Sequence, residues 1–261
     1  YLSFMAGASL AGMLLLKQKF DLIYATSPPL PAAGAGLWLS FYKKNPFYFE
    51  VRDLWPDSAI ELGELKNSLV IVMAKKLEQM CYARATKVIT VTNGIAKTLK
   101  KEKQIPGSKV ELIPNGATID SFYRDKAGGE RLRSDLGLDN KFIVLYAGIL
   151  GIAQNLETLL KAAAELRHCS DIHFLVAGAG PKKKELSSMA ARLKLTNLDF
   201  IGERPRKDMP KLYSAVDAAL VPLAKNDLFK HARPSKIFDA WSCETPVILG
   251  IDGEARQLLN Q

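Results

Sequence analysis

Short apolar runs alternate with helix-like stretches along most of the chain. In the first half, strands are predicted at residues 21–26, 46–51, 87–92 and 110–113, with helices from about residue 30 and at 67–84 and 94–101. In the second half, strands are predicted at residues 142–147, 172–177, 198–202, 218–222 and 246–250, with helices at 155–167, 181–193 and 208–216. The strand runs are continuously apolar, which is typical of parallel strands covered by helices on both faces. The alternation therefore predicts βαβ units and parallel sheets.

The alternation is interrupted between residues 122 and 140, which are charged, contain glycine and lack a core strand. This segment indicates a boundary near residue 125, with one domain at 1–125 and a second at 126–261. A length of 261 residues agrees with two domains. We therefore expect two doubly wound α/β halves that face each other. Ligands of such folds bind beyond the carboxyl ends of the strands, so we expect a binding site at the turns that follow the strands.

The two ends of the chain have their own pattern. Residues 1–16 are almost uncharged, but this segment is short for a spanning helix and predicts a core or interfacial helix. It has neither an initiator Met nor a basic leading segment, so no signal peptide is indicated. Residues 253–261 have the pattern of a helix that has just begun. We expect the chain to be an internal fragment, with both domains incomplete.

Composition narrows the class of protein. Hydrophobic residues at 48% and charged residues at 24% are typical of a soluble globular chain and exclude a disordered, collagenous or polytopic membrane protein. Three widely separated cysteines without metal-ligand spacing favour a reducing, cytosolic compartment. The three histidines stand in no zinc pattern, so we predict no metal site.

A net charge of +9 predicts anionic partners, which include nucleic acid, an anionic membrane surface and phosphorylated substrates. The lysines are spread over many helices, with one tight run at 182–184, and no aromatic and basic binding motif is present. This distribution argues against nucleic acid. The net positive charge and the apolar first segment together favour a membrane surface.

Residues 234–248 join a predicted helix to a buried strand. Pro234 suits the first helical position, and the free N–H groups near Ser235 and Lys236 suit a diphosphate. Asp239 lies four residues after Ser235, on nearly the same helix face. There it could accept hydrogen bonds from both hydroxyls of a ribose, while Lys236 neutralises phosphate. The alternative is an ordinary surface helix with scattered charge.

Five motifs occur in one order along the chain: RDLWPDS at 52–58, IPNG at 113–116, YAG at 146–148, AGAG at 177–180, and the segment 234–248. Together they resemble glycosyltransferase family four, and most of all the bacterial transferases of the L-fucosamine-transferase type that build O-antigen, capsule or other surface polysaccharides. Each motif is loose by itself, but their order and spacing cover almost the whole chain.

The resemblance implies a GT-B architecture of two Rossmann-like domains, with the acceptor bound by the first, the nucleotide sugar by the second, and the reaction in the cleft. It implies a retaining transferase that needs no metal or other cofactor. The expected donor is a UDP-sugar, a HexNAc or deoxy-HexNAc, and the expected acceptor is a polyprenyl-diphosphate-linked saccharide. The protein is then expected to be cytoplasmic and peripheral on the inner membrane.

Two positions depart from the family pattern near the C-terminus. Asp239 matches the second acid of the family's Glu-x7-Glu pattern, which holds the ribose, whereas His231 stands in place of the first acid. A neutral or cationic histidine could meet phosphate instead. Glu244 replaces the glycine that commonly ends the helix, and in a left-handed conformation it costs about 1 kcal/mol relative to glycine.

The turn at 148–154 matches the donor-domain glycine loop through Gly148 and Gly151. Ile152 lies where many members carry a diphosphate-binding Arg, so Lys236 is expected to bind diphosphate alone or with Arg233.

Gly178 and Gly180 serve either nucleotide contact or a tight connection between strand and helix. Arg204 falls in the block at 202–205, where the family reads the base.

In the first domain, Arg52 and Asp53 correspond to a His-Asp pair common in the family. Arg52 could steady phosphate or developing leaving-group charge, and Asp53 or Asp57 could orient the acceptor hydroxyl. The alternative is an Arg-Asp pair that braces the loop, with Trp55 packed beneath it.

The sequence also leaves two other functions open. A UDP-sugar 2-epimerase shares the architecture and the diphosphate site, although no His-rich and acid-rich cleft for proton abstraction is evident. The missing first acid also leaves open a nucleotide-binding or partner-binding module without catalysis.

Overall fold

The computed structural model describes residues 1–15 and 17–259. Leu16, Asn260 and Gln261, which belong to the two predicted end segments, lie outside the described residues. The chain divides into unit 1, Tyr1–Pro114, and unit 2, Asn115–Gln261. The division precedes the residue 125 indicated by the sequence, because Phe122 is buried in the core of unit 2 against the Tyr213 ring.

Unit 1 contains a four-stranded parallel sheet, with strand order β1-β2-β3-β4. The strands are β1 (Ile23–Ser27), β2 (Phe47–Val51), β3 (Lys87–Thr90) and β4 (Val110–Leu112). The helices are α1 (Leu2–Leu14), α2 (Leu30–Tyr42), α3 (Asp57–Glu61), α4 (Ser68–Arg84) and α5 (Asn93–Lys101). All four strands occur where the apolar runs predict them, and their order shows no reversal within the described residues.

Side-chain caps fix where two helices of unit 1 begin. Asn67 accepts a hydrogen bond from the Val70 N–H at the start of α4, and Thr92 accepts one from the Ile95 N–H at the start of α5, both at 3.2 Å. Each cap satisfies one of the amide groups that lack a partner inside the helix.

The apolar first segment forms α1, which packs on α2. A Cβ at Gly34 of α2 would lie 2.6 Å from the Met5 sulfur, so glycine permits the close approach of the two helices. None of the helices in the described part of the chain combines the length and apolar character that crossing a bilayer requires.

Unit 2 contains a five-stranded parallel sheet with strand order β7-β6-β5-β8-β9. The strands are β5 (Phe142–Ala147), β6 (Ile172–Ala177), β7 (Leu198–Gly202), β8 (Ala218–Pro222) and β9 (Val247–Gly250). The helices are α6 (Lys126–Asp135), α7 (Glu157–Glu165), α8 (Lys183–Arg192), α9 (Met209–Ser214), α10 (Lys236–Ser242) and α11 (Glu254–Leu259).

Alternate side chains of β5 enter two different cores. Ile143 and Leu145 pack with residues of α9 and α10, whereas Val144 and Tyr146 pack with residues of α7 and α8. Helices therefore cover both faces, as the continuously apolar strands predict. The strand order reverses between β5 and β8, so the switch point of this sheet lies beyond the carboxyl end of β5.

Unit 2 differs from the sequence expectations at two places. Residues 126–135 form α6, a helix that was not predicted, inside the segment that the charges and glycines marked as a boundary without a core strand; a Cβ at Gly129 would lie 2.6 Å from the Ser214 backbone, so this glycine lets α6 pack closely on α9. The helix α10 begins at Lys236 with Ser235 as N-cap, so Pro234 precedes the helix instead of starting it.

Candidate functional site

A cavity of about 590 Å³ lies in unit 2 at the carboxyl ends of β5 and β6. The residues predicted to bind the donor and found in its wall are Gly148, Gly178, Arg204, Ser235, Lys236 and Asp239. They come from four separate segments of the chain, which the parallel sheet brings to one edge.

The turns after β5 and β6 pack backbone against backbone. The Gly148 N–H donates to the Ala177 carbonyl at 2.9 Å, and a Cβ on Gly178, whose φ is +144°, would overlap the Gly148 carbonyl oxygen. A Cβ on Gly180, with φ +157°, would lie 2.5 Å from the Leu150 carbonyl oxygen. Close approach of the two turns therefore accounts for both glycines, and Gly178 also faces the cavity.

Lys236 extends from the start of α10 toward the turn after β5. Its ammonium donates a hydrogen bond to the Tyr146 hydroxyl at 3.4 Å and lies 4.5 Å from the centre of the Tyr146 ring. A Cβ on Gly148 would lie 2.7 Å from this ammonium, so glycine leaves the space that Lys236 occupies. Desolvation lowers the pKa of Lys236 to about 8, although the Asp239 carboxylate opposes the shift.

Asp239 lies one helical turn after Ser235 and faces the same cavity. Burial raises the pKa of Asp239, while the charges of Arg206 and Lys236 oppose that shift. The Arg206 guanidinium lies over the Phe122 ring at 4.9 Å from its centre. The site thus presents cations and one partly buried carboxylate to the same space.

The sequence pattern does not assign Tyr146, Phe122 or Arg206 a place in the site, although Tyr146 belongs to the YAG motif at 146–148. The two aromatic residues have the pattern of core positions, and both are buried. Arg206 stands near Arg204 in a polar loop, where nothing local distinguishes the arginine whose charge acts on Asp239.

Four predicted donor-binding residues, Gly151, Gly180, His231 and Arg233, are not among the described residues that line the cavity. The Arg233 Nε lies 3.7 Å from a carboxylate oxygen of Glu254, which links the 228–233 segment to α11. His231 ends a short 3-10 turn. The ligand contacts proposed for these residues stay predictions.

Glu244, which stands where the family commonly has glycine, adopts a left-handed conformation with φ +57°. Its carboxylate pairs with Arg124 at 3.0 Å on the surface of unit 2.

In unit 1, Arg52 and Asp53 directly follow β2. The Arg52 N–H donates to the Ser27 carbonyl at 2.9 Å, which extends the pairing of β1 and β2 by one hydrogen bond. Asp53 accepts a hydrogen bond from the Ser58 hydroxyl at 2.8 Å. Burial raises the pKa of Asp53, while the bond from Ser58 opposes the shift.

Asp57, the third predicted catalytic residue, belongs to a cluster of ion pairs. The Lys103 ammonium donates to Asp57 at 2.6 Å and to Glu78 at 3.1 Å, and the Tyr82 hydroxyl donates to Glu78 at 2.9 Å. Burial raises the pKa of Glu78, against the effect of Lys103. The structure therefore brings Asp57 together with α4 and with Lys103 after α5, in contacts that brace these segments.

Within residues 1–15 and 17–259, no three or more His, Cys, Asp or Glu side chains are grouped so that they could hold a metal ion.

Parallel sheets covered by helices on both faces, with a cavity beyond the carboxyl ends of the strands at the switch point, define a chain of the doubly wound α/β class. Residues 129–261 match the family model of glycosyl transferases group 1, and residues 2–121 match that of Glycosyltransferase Family 4. The chain belongs to the glycosyl transferases group 1 family, as the resemblance of its motifs implies.

Known proteins agree with this assignment. The chain is 28% identical over 224 residues to the putative colanic acid biosynthesis glycosyl transferase WcaI of Escherichia coli strain K12, covering 84% of this chain and 54% of the relative. It is 24% identical over 251 residues to an E. coli UDP-Gal:alpha-D-GlcNAc-diphosphoundecaprenol alpha-1,3-galactosyltransferase, covering 90% of this chain and 59% of the relative. The chain thus spans about half the length of the curated relatives it matches.

The structure of Anabaena HepE in complex with UDP and glucose superposes with a TM-score of 0.77 and 20% sequence identity, covering 98% of this chain and 65% of HepE. This likeness shows the fold, which is the α/β GT-B class with Rossmann-like domains.

Proposed function

We propose that the protein is a glycosyltransferase of surface polysaccharide synthesis, in which unit 2 binds a nucleoside diphosphate sugar. The observation that carries the proposal is the unit 2 cavity, where Lys236, Arg204 and Arg206 stand beside Asp239 and the Gly148 turn. Cations suit a diphosphate, and a carboxylate that accepts hydrogen bonds suits the paired hydroxyls of a ribose.

The proposed donor is a UDP-sugar, with a HexNAc or deoxy-HexNAc as the transferred group. The diphosphate would lie against Lys236 and the Gly148 turn, the ribose against Asp239, and the base toward the segment that carries Arg204. The UDP bound by HepE supports a uridine donor.

The proposed reaction is metal-independent transfer with retention at the anomeric carbon. The negative charge that develops on the leaving diphosphate would be stabilised by fixed cations, above all Lys236. In unit 1, Arg52 and Asp53 stand at the carboxyl edge of the sheet, where Asp53 would orient the acceptor hydroxyl. Because Asp57 is engaged by Lys103, we give it a supporting part in this scheme.

The proposed acceptor is a polyprenyl-diphosphate-linked saccharide at the cytoplasmic face of the inner membrane. The galactosyltransferase relative, whose name specifies a diphosphoundecaprenol-linked sugar, supports this class of acceptor. The outward face of α4 supports peripheral binding to an anionic membrane, because Leu69, Val72 and Met73 are each more than 60% exposed beside Lys75 and Lys76.

The test is release of nucleoside diphosphate by the complete protein that carries this chain, with a panel of UDP-sugars and membrane lipid as the acceptor source. Release that requires lipid supports the transferase. A new UDP-sugar epimer, detected by NMR without acceptor, would instead identify the epimerase, and binding without any turnover would identify the non-catalytic module.

A matched pair of variants tests the donor site. Asp239→Ala removes the carboxylate beside the cavity and should weaken UDP binding in calorimetry at least tenfold. Asp252→Ala, at an exposed carboxylate paired with Arg256, should bind UDP like the unaltered protein. Equal affinities of the two variants would remove Asp239 from the site.

A further inference from the structure

The position of the Lys236 ammonium is set by a residue of a different element. Tyr146 of β5 is fully buried and packs between α7 and α8, so its ring cannot move freely. Its hydroxyl donates to the Ile149 carbonyl at 2.7 Å. That bond uses the single hydroxyl proton, so the oxygen presents its lone pairs to the Lys236 ammonium at 3.4 Å.

The same contact places Lys236 next to the glycine turn. The ammonium lies over the Tyr146 ring, and the absence of a side chain at Gly148 leaves room for it. A cation over an aromatic face is attracted by the ring quadrupole. Tyr146 therefore holds the charge at the cavity wall before any ligand arrives.

Two titratable groups face Lys236. Tyr146 faces it from β5, and Asp239 faces it from the same helix. The positive charge of Arg206 also acts on Asp239, which lies near Tyr213 of α9, and Glu203 and Arg204 line the same cavity. Desolvation outweighs the attraction of Asp239 and lowers the pKa of Lys236 to about 8. Part of the protein consequently holds a neutral lysine in mildly alkaline solution.

We propose that Tyr146 is a positioning residue of the donor site, which fixes Lys236 for the diphosphate, and that diphosphate binding draws a proton from solvent onto Lys236. The inference rests on the proposed function, and it couples binding of the donor to the uptake of one proton. A bound dianion stabilises the ammonium, so the pKa of Lys236 rises in the complex. The affinity for the diphosphate is therefore highest below the pKa that Lys236 has in the free protein. It falls as the pH rises above that value and levels off above the pKa that Lys236 has in the complex.

The experiment is calorimetric titration of UDP into the protein from pH 7 to pH 9, in paired buffers of different ionisation enthalpy. Above pH 7 the terminal phosphate of UDP is already ionised, because its second pKa is about 6. The affinity should fall up to about tenfold per pH unit above roughly pH 8.5, and proton uptake should approach about one per UDP near pH 9.

Three variants separate the contributions. Lys236→Arg keeps a charge that does not titrate in this range, so its affinity should stay level and its proton uptake should vanish. Tyr146→Phe keeps the ring but removes the hydroxyl, so binding should weaken severalfold and the fall should begin at lower pH. Lys161→Arg, on the exposed face of α7, makes the same exchange away from the cavity and should retain the profile of the unaltered protein.

The possible failures are distinguishable. If UDP binds at pH 7 with an affinity that stays level to pH 9, or if Lys236→Arg keeps the fall, the proton uptake is refuted while the donor site stands. A protein that binds no UDP at any pH refutes the proposed function and this inference together.

The role of Tyr146 has its own readout if Tyr146→Phe does not fold. In the unaltered protein, the Lys236 methylene protons next to the ammonium should show an upfield NMR shift from the Tyr146 ring. Ordinary lysine shifts at this residue, or a folded Tyr146→Phe with an unchanged pH profile, would overturn the positioning role.

Discussion

The Lys103 ammonium lies 2.6 Å from the Asp57 carboxylate, and it also donates to Glu78. Asp57 belongs to α3, Glu78 to α4, and Lys103 follows α5, so a single ammonium ties three helical segments of unit 1 together. Removing one partner leaves the others partly desolvated, which is more harmful than the loss of an exposed pair.

Asp57→Asn should lower the free energy of unfolding by about 1–2 kcal/mol, because it weakens a charged hydrogen bond. Asp53→Asn, four residues earlier, should change stability less and transfer rate more. Thermal unfolding and turnover measured on both variants separate the two roles. Loss of turnover in Asp57→Asn at an unchanged melting temperature would show that Asp57 takes part in catalysis.

Gly178→Ala should destabilise unit 2 and abolish UDP binding, because its Cβ would overlap the Gly148 carbonyl oxygen and its φ of +144° disfavours any side chain. We expect a loss of at least about 2 kcal/mol, measured by denaturant unfolding. Gly116→Ala is the matched control, since a Cβ there meets nothing within 4 Å. Similar stability of the two variants would contradict the close approach of the turns.

Glu244→Gly should stabilise unit 2, because glycine adopts φ +57° without the strain of a side chain. The gain of about 1 kcal/mol is reduced by loss of the exposed pair with Arg124, so the expected rise in melting temperature is about 1–3 °C. Glu244→Gln measures the ion pair alone. A lower melting temperature in Glu244→Gly than in Glu244→Gln would show that backbone strain is not the dominant effect.

The outward face of α4 should determine attachment to lipid. Val72 and Met73 are 62% and 63% exposed although they are apolar, whereas a surface helix usually turns its apolar side chains toward the core. The double change Val72→Ser with Met73→Ser should lower binding to phosphatidylglycerol vesicles about tenfold, consistent with about 1–2 kcal/mol of lost apolar burial.

Vesicle cosedimentation measures this binding, and Ile119→Ser removes an equally exposed apolar side chain from unit 2 as the control. Retained binding of the double variant would exclude α4. Equal binding to phosphatidylcholine vesicles would exclude a contribution from Lys75 and Lys76.

Local sequence pattern by itself determined most of the strands and the fold class. The apolar runs at 142–147, 172–177, 198–202 and 218–222 coincide with β5, β6, β7 and β8, because parallel strands covered by helices consist mainly of apolar residues and end in a Gly or Pro turn. His173 and Asp199 are polar exceptions, and they form a hydrogen bond with each other. The same pattern did not predict α6, whose helix depends on packing against α9 more than on its own composition.

The motifs also identified Ser235, Lys236 and Asp239 as neighbours, since Asp239 follows Ser235 by four residues and Lys236 by three, which is one helical turn. Only the tertiary structure decided that Tyr146 holds Lys236, that Lys103 engages Asp57, and that Gly178 makes room for a carbonyl group. Tyr146 and Lys236 are 90 residues apart in the chain, and Asp57 and Lys103 are 46 apart. Periodicity and propensity act over a few residues, whereas these contacts form only when the sheet brings distant segments to one edge.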